Sequence, residues 1–354
     1  MKTLLAHQRL SCNPLDFLLA QFIPYNEKNL RSFIPKPHVQ WIGSARAGIS
    51  YLLSPGEKVG LPSFTCRVVA AAVAHAKAVP VFIDAGAIVK AEDVEKHIAK
   101  IDTLLIPYNF GFVPQMDKIA ALCRKHSVRL IEDGAQALGA TSKGKLCGSF
   151  GAAVYSFGIS KNIGFMGGLL ATESPSFYKG KFYPILPRYK VYTEAFLARV
   201  FFNPYVYPLT EQLLTHGFSN ENVIPYAMPD FAKYGVLVQA RRYASMLALR
   251  RSNAAYLMKE LVGHIDFVKP EPETEPAWLY FVLLHKDRER IRVSLLKEGI
   301  DVRPLHTFGD MSGSGEKAAA VERNHLAFAL LRSRVEVEQI AAAIKRVMKN
   351  ETSH

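Results

Sequence analysis

Between residues 58 and 157, short apolar runs alternate with amphipathic stretches, and this limits the fold more than any other feature. Lys58–Leu61, Val79–Ile83, Thr103–Ile106, Val128–Ile131 and Ala152–Phe157 read as buried strands. Thr65–Lys77, Glu92–Ala99 and Met116–His126 read as helices. Apolar strands separated by helices predict an α/β fold with a mostly parallel sheet covered on both faces. Ligands of such sheets bind beyond the carboxyl ends of the strands. That rule points to Asp84, Tyr108–Gly111 and Asp133.

The texture changes after Thr172. Phe177–Phe218 holds twelve aromatics, five Lys/Arg and two acidic residues, punctuated by Pro184, Pro187, Pro204 and Pro208. A helical pattern resumes over Ala232–Leu261. A strand at Leu279–Leu284 and helices at Arg288–Glu298 and Val335–Met348 suggest a smaller α+β unit. A chain of 354 residues is long enough for two domains. The expected division is 1–240, with an aromatic and basic insert at about 175–222, and 241–354.

With 44 Lys/Arg against 31 Asp/Glu, the net charge is +13, which favours anionic ligands. Nucleic acid is not expected, because the basic residues are dispersed and no helix-turn-helix is evident. Cys12, Cys66, Cys123 and Cys147 form no C-x-x-C pair and have no zinc-ligand spacing, so no metal is expected. They fit reduced thiols in a cytoplasm. Gln8, Arg9 and Asn13 interrupt any apolar run near the start, so neither a signal peptide nor a membrane span is read there. For Phe177–Phe218, packing in an interface or over the active site is preferred to contact with a membrane surface, since the prolines prevent one amphipathic helix.

The chemistry concentrates in Ile131–Ala137 and Ser156–Lys161. A carboxylate, Asp133, ends a buried strand, and Lys161 follows 28 residues later beyond another strand, with Gly167-Gly168 soon after. This suits pyridoxal 5′-phosphate, which needs a lysine amine for its Schiff base and a carboxylate against its ring nitrogen. Its phosphate needs hydroxyls and backbone N–H groups, best supplied at a helix N-terminus. Gly43–Gly48 could supply one, although Ser44 also reads as an ordinary N-cap.

Taken in order, Gly56–Thr65, Val79–Asp84, Glu132–Gly139 and Ser156–Lys161 resemble the DegT/DnrJ/EryC1/StrS aminotransferases, a sugar aminotransferase branch of fold-type I pyridoxal-phosphate enzymes. The resemblance implies a large cofactor-binding domain and a small C-terminal one. It implies that Lys161 is the Schiff-base lysine and proton shuttle, that Asp133 pairs with the pyridinium nitrogen, and that Gln136 lies near the ring oxygen. Ser156, Ser44 and Ala45 would hold the phosphate. Cys66 stands where the family has an aromatic stacked on the ring. Tyr108 stands where it often has His. Arg303 and His306 fall in a loop resembling the family's substrate side. Ile224–Met228 resembles a segment that reaches the partner subunit, but with Pro225 and Ala227 in place of Asn and Arg.

The activity so implied is amino transfer from an amino acid such as glutamate to a keto sugar, expected to be nucleotide-linked, by a homodimer, in surface polysaccharide or aminosugar synthesis. Two alternatives stay open. One is a lyase or dehydratase of the same fold, against which Lys161 argues, since family dehydratases tend to carry His there. The other is a degenerate, non-catalytic regulatory or binding member.

Overall fold

The computed structural model describes residues 4–352 except 13, 20, 21, 23, 177, 181–192, 194–196, 198, 199, 202, 204 and 208–222. Most of Phe177–Phe218, and with it the expected role of that segment, lies outside the described residues. Seven strands form a central sheet in the spatial order His38–Ile42, Gly168–Thr172, Ala152–Ser156, Arg129–Asp133, Thr103–Pro107, Lys58–Pro62 and Val79–Ile83. Gly168–Thr172 runs antiparallel to its neighbours, and the others run parallel. Thr103–Pro107 is buried at all five positions, as expected of a strand covered on both faces.

Two helices, Ala45–Leu52 and Arg67–His75, cover one face and pack Ile49, Val69 and Val73 against Leu61, Leu105 and Val154. Met116–Lys125 and Asp230–Leu261 cover the other, packing Ile119, Val236 and Tyr243 with Ile106, Leu130 and Tyr155. The first helix comes very close to the sheet. A Cβ on Gly48 would sit 2.6 Å from Ile42 Cδ1, so only glycine fits there without movement.

Two helical expectations are altered. Phe64–Cys66 is extended and pairs antiparallel with Phe308–Asp310, so the helix begins at Arg67. A strand partner more than two hundred residues away leaves no local periodicity to read. The stretch expected at Glu92–Ala99 divides into a helix at Ala91–Glu95 and a 3-10 turn at Ile98–Lys100.

A three-stranded antiparallel sheet, Asp266–Phe267, Tyr280–Leu284 and His325–Ala329, forms the C-terminal unit. Ile291, Leu295, Ile340 and Ile344 from its helices pack over it. The 32-residue helix Asp230–Leu261 connects it to the central sheet and carries residues 240 and 241 in its interior. The N-terminal arm belongs to this unit. Leu5 bridges Ile300, and the Ala329 N–H donates to the His7 carbonyl. Asp301 there is buried, with His7 Nδ1 at 2.8 Å, Tyr207 Oη at 2.5 Å and Arg303 Nε at 3.0 Å. Burial alone would raise its carboxyl, but His7, Arg303 and Tyr207 outweigh it and hold the pKa at about 2. Among the described residues, no helix is long and apolar enough to cross a membrane, and all four cysteines are free thiols.

Asp301→Ala should destabilise the protein by about 3–5 kcal/mol, because it breaks a buried ion pair and removes the acceptor of His7 and Tyr207. Urea denaturation of the variant and wild type checks this.

Candidate active site

Strand pairing brings the expected groups to one sheet edge. Asp133 ends the Arg129–Asp133 strand and is level with Val154, so Ser156 lies just beyond it on the neighbouring strand. Ser156 pairs with Gly168, and Gly168 pairs with Ile42, the residue before the Gly43-Ser44 turn. A Cβ on Gly168 would lie 2.3 Å from Tyr155 O and 3.1 Å from Ala45 N. The strand therefore passes directly beneath the first N–H of the Ala45–Leu52 helix, and a side chain at Gly168 would block that approach.

Asp133 is 6% exposed, and one carboxylate oxygen accepts the Ala135 N–H at 3.0 Å. Burial raises its pKa, while the Ala135 N–H and the charge of Lys161 pull it back down. Lys161 sits in a tight turn, its N–H donating to Gly158 O at 2.8 Å. The loop around it is closed at its base by Phe165 N–H to Phe157 O at 2.7 Å and Phe157 N–H to Gly167 O at 2.8 Å. Asn162, next to the lysine, donates to the Gln136 carbonyl at 3.1 Å.

Gln136 is oriented from its other end. Its side-chain oxygen accepts the Phe110 N–H at 2.6 Å, which leaves its NH₂ as the donor able to meet a ligand oxygen. Phe110 has φ of 61°, an unusual backbone for a bulky residue. It is held there by that hydrogen bond and by stacking on Phe308 at 4.9 Å and 29°.

Several expected residues have partners within the protein. Tyr108 is 2% exposed and donates to Glu132 at 2.6 Å. Glu132 is a buried structural hub that also accepts the N–H groups of Gly148, Phe150 and Gly151. Ser44 is the helix N-cap, with its oxygen accepting the Ala47 N–H at 3.3 Å, which leaves its O–H as a donor. Ala45 is the first helical residue, and its N–H has no carbonyl within the helix to bond. Cys66 is half-buried at the N-cap of the Arg67–His75 helix. Arg303 is 7% exposed, with its Nε 3.0 Å from both Asp301 oxygens, so it is an internal ion-pair member rather than an open anion site. The His306 side chain reaches solvent, and partial desolvation with the charges of Arg288, Arg303, Arg67 and Arg292 lowers its pKa. Ile224–Met228 lies along this chain's own cradle, where Tyr226 O accepts the Gly43 N–H at 2.7 Å.

One residue at the site was missed. Arg46, second in the helix, is half-buried and within electrostatic range of Cys66. A cation in the first turn of a helix was the available signal.

The family model for DegT/DnrJ/EryC1/StrS aminotransferases matches residues 23–312. The chain belongs to that family. Among its relatives, a pleiotropic regulatory protein of Geobacillus stearothermophilus is 32% identical over 44% of this chain and 45% of its own length. A UDP-N-acetyl-3-dehydro-α-D-glucosamine 3-aminotransferase of Acidithiobacillus ferrooxidans is 39% identical over 32% of each chain. Each of these matches thus spans less than half of the relative. In fold the chain is similar to DesV of S. venezuelae, with a TM-score of 0.73 and 20% identity over 95% of this chain and 94% of that one. The fold is that of the fold-type I enzymes, and the family's cofactor is pyridoxal 5′-phosphate.

The residues present fit that cofactor. A buried carboxylate with a single backbone donor suits a cationic ring nitrogen. A Cβ on Gly158 would stand 3.7 Å from both Ser156 Oγ and Lys161 Cγ, so glycine leaves space beside both groups. Helix N–H groups lie on the same edge.

Asp133→Asn should raise the thermal stability of the cofactor-free protein, by about 1 kcal/mol, because it removes a buried charge. The same change should weaken cofactor binding, and melting curves with and without cofactor read both effects. A second expectation concerns acid. His325 Nδ1 faces Val321 O at 2.9 Å and its Nε2 accepts the Leu305 N–H at 3.0 Å, which fixes the neutral ring. Burial, aided by Arg288, lowers its pKa to about 4. The unfolded chain binds more protons between the ordinary histidine value and about 4. Stability should therefore fall as pH drops from about 6.5 toward 4, by on the order of 3 kcal/mol, and His325→Gln should flatten that slope.

Proposed function

We propose that this chain is a pyridoxal-phosphate aminotransferase that transfers an amino group from an amino acid, glutamate being the first donor to test, to a keto sugar carried on a nucleotide diphosphate. The observation that carries the reading is the placement of Asp133, Gln136 and Lys161 on one sheet edge beside a helix N-terminus. The UDP-sugar aminotransferase relative supports a nucleotide sugar as acceptor. The working unit in this reading is a cytoplasmic homodimer serving surface polysaccharide or aminosugar synthesis.

When bound, the cofactor supplies a carbonyl for amines to condense with and a pyridinium ring that accepts electrons. Asp133 keeps that ring nitrogen protonated by holding a carboxylate in a site too dry to screen it. Lys161 Nζ would hold the cofactor and, when free, would be the base that takes and returns the substrate proton. The Gln136 NH₂, left free by the bond from Phe110, would donate to an oxygen of the cofactor. The tied loop Phe157–Gly167 holds Lys161 in place through both steps.

A regulatory, non-catalytic reading has one point in its favour, the name of the Geobacillus relative. The retained Asp133 and Lys161 oppose it.

Purified protein should show cofactor absorbance that Lys161→Ala abolishes. It should also move ¹⁵N from labelled glutamate to a nucleotide-linked keto sugar, with the variant's rate reduced at least roughly a thousandfold. A wild type that binds no added cofactor would falsify this reading.

A further inference from the structure

The helix Asp230–Leu261 carries an arginine that the activity described so far does not use. Arg250 is 1% exposed. Its Nη2 donates to the Asn162 carbonyl at 3.3 Å, while its Nε and Nη1 are buried with no hydrogen-bond partner. Among the described residues, no carboxylate pairs with it. The phenols within its electrostatic range, Tyr243 and Tyr280, are pushed up to about 12 by burial and bring no counter-charge. A charge kept in a dry interior without a counter-ion works against the fold. A residue that breaks this rule points to a role other than stability.

What Arg250 touches is the turn that carries Lys161. Asn162 follows the lysine directly. Its carbonyl accepts the Arg250 bond, and its Nδ2 donates to the Gln136 carbonyl at 3.1 Å. The backbone just after Lys161 is thus fixed through both the carbonyl and the side chain of one residue. Gln239, on the same helix as Arg250, ties the far end of the turn by donating to Gly164 O at 2.9 Å and accepting its N–H at 3.3 Å. The helix is itself anchored around position 250. Arg251 Nη2 donates to Gly139 O at 3.0 Å, and Asn253 Nδ2 donates to Leu330 O at 3.0 Å and Arg332 O at 2.9 Å.

We propose that Arg250 is a positioning residue for Lys161, clamping the Asn162 carbonyl so that the lysine turn presents its amine to the cofactor in one orientation. The proposal rests on the cofactor reading above and adds a residue to it. The lone charge follows from this role. Bonds between ions are stronger than a bond to a neutral carbonyl, so a carboxylate beside Arg250 would compete with Asn162 for the guanidinium.

The test separates bonding through Lys161 from docking in the cradle. Pyridoxal phosphate has a carbonyl with which the lysine amine condenses, releasing water. Pyridoxamine phosphate has an amine there and can only dock. Apoprotein is titrated calorimetrically with each. Arg250→Met should weaken pyridoxal phosphate binding roughly 10-fold or more and change pyridoxamine phosphate binding by no more than about twofold. Arg250→Lys, with the charge but no fork, should fall between wild type and Arg250→Met. A ratio of the two affinities in Arg250→Met equal to that of wild type overturns the clamp, whether both affinities are kept or both fall. If Arg250→Met does not fold, the ratio is read from Arg250→Lys, and an unchanged ratio there overturns the clamp. A wild type that takes up neither ligand overturns the cofactor reading and the clamp with it.

Discussion

A carboxylate kept out of water at the end of a parallel strand is the interaction on which the site depends. Asp133 is desolvated because the sheet is covered on both faces and because Gly134 and Ala135 turn the chain back over it. Its charge is tolerable only when a cation is held nearby. Lys161 is one such cation, and the ring nitrogen of a bound cofactor is another. The surrounding structure keeps this carboxylate dry while leaving its open side reachable. Glu132, one residue earlier, is equally buried but bound by four donors, which makes it architecture instead of chemistry.

Much of this was legible in the sequence because it is local or has fixed spacing. Apolar runs ending in an acid or a small residue mark parallel strands, and those at 58, 79, 103, 128 and 152 formed close to their expected bounds. Asp133 could be read because it closes such a run, and Lys161 because it follows soon after the next one. The Gly167-Gly168 pair could be noted, but that it admits Met228 and the Ala45 N–H is visible only in three dimensions. The edge strand His38–Ile42 and its antiparallel neighbour Gly168–Thr172 could not be read, since each pairs with a partner more than a hundred residues away.

The residues whose roles changed share one property: their partners are remote or unpatterned. Tyr108 looked like a site residue from its position at a strand end, but its phenol points to Glu132 on the neighbouring strand. Arg303 looked like an anion site because a lone arginine cannot announce that a carboxylate two residues away has folded back onto it. In both cases the deciding fact was pairing in three dimensions, which hydropathy and spacing do not encode.

The strap formed by the N-terminal arm has a consequence for biogenesis. Leu5 meets Ile300, and His7 bonds to Ala329 and Asp301, so the seam joins segments about three hundred residues apart. A nascent chain can assemble the central sheet while residues 300–329 are still being synthesised. The seam that joins the arm to the C-terminal sheet cannot form until residue 329 has left the ribosome. Until then, Leu5 and its neighbours must wait in solution with their apolar side chains unpaired. Loop closure over this span is entropically costly and slow. A chain truncated before residue 300 therefore lacks both its last sheet and the anchor for its beginning.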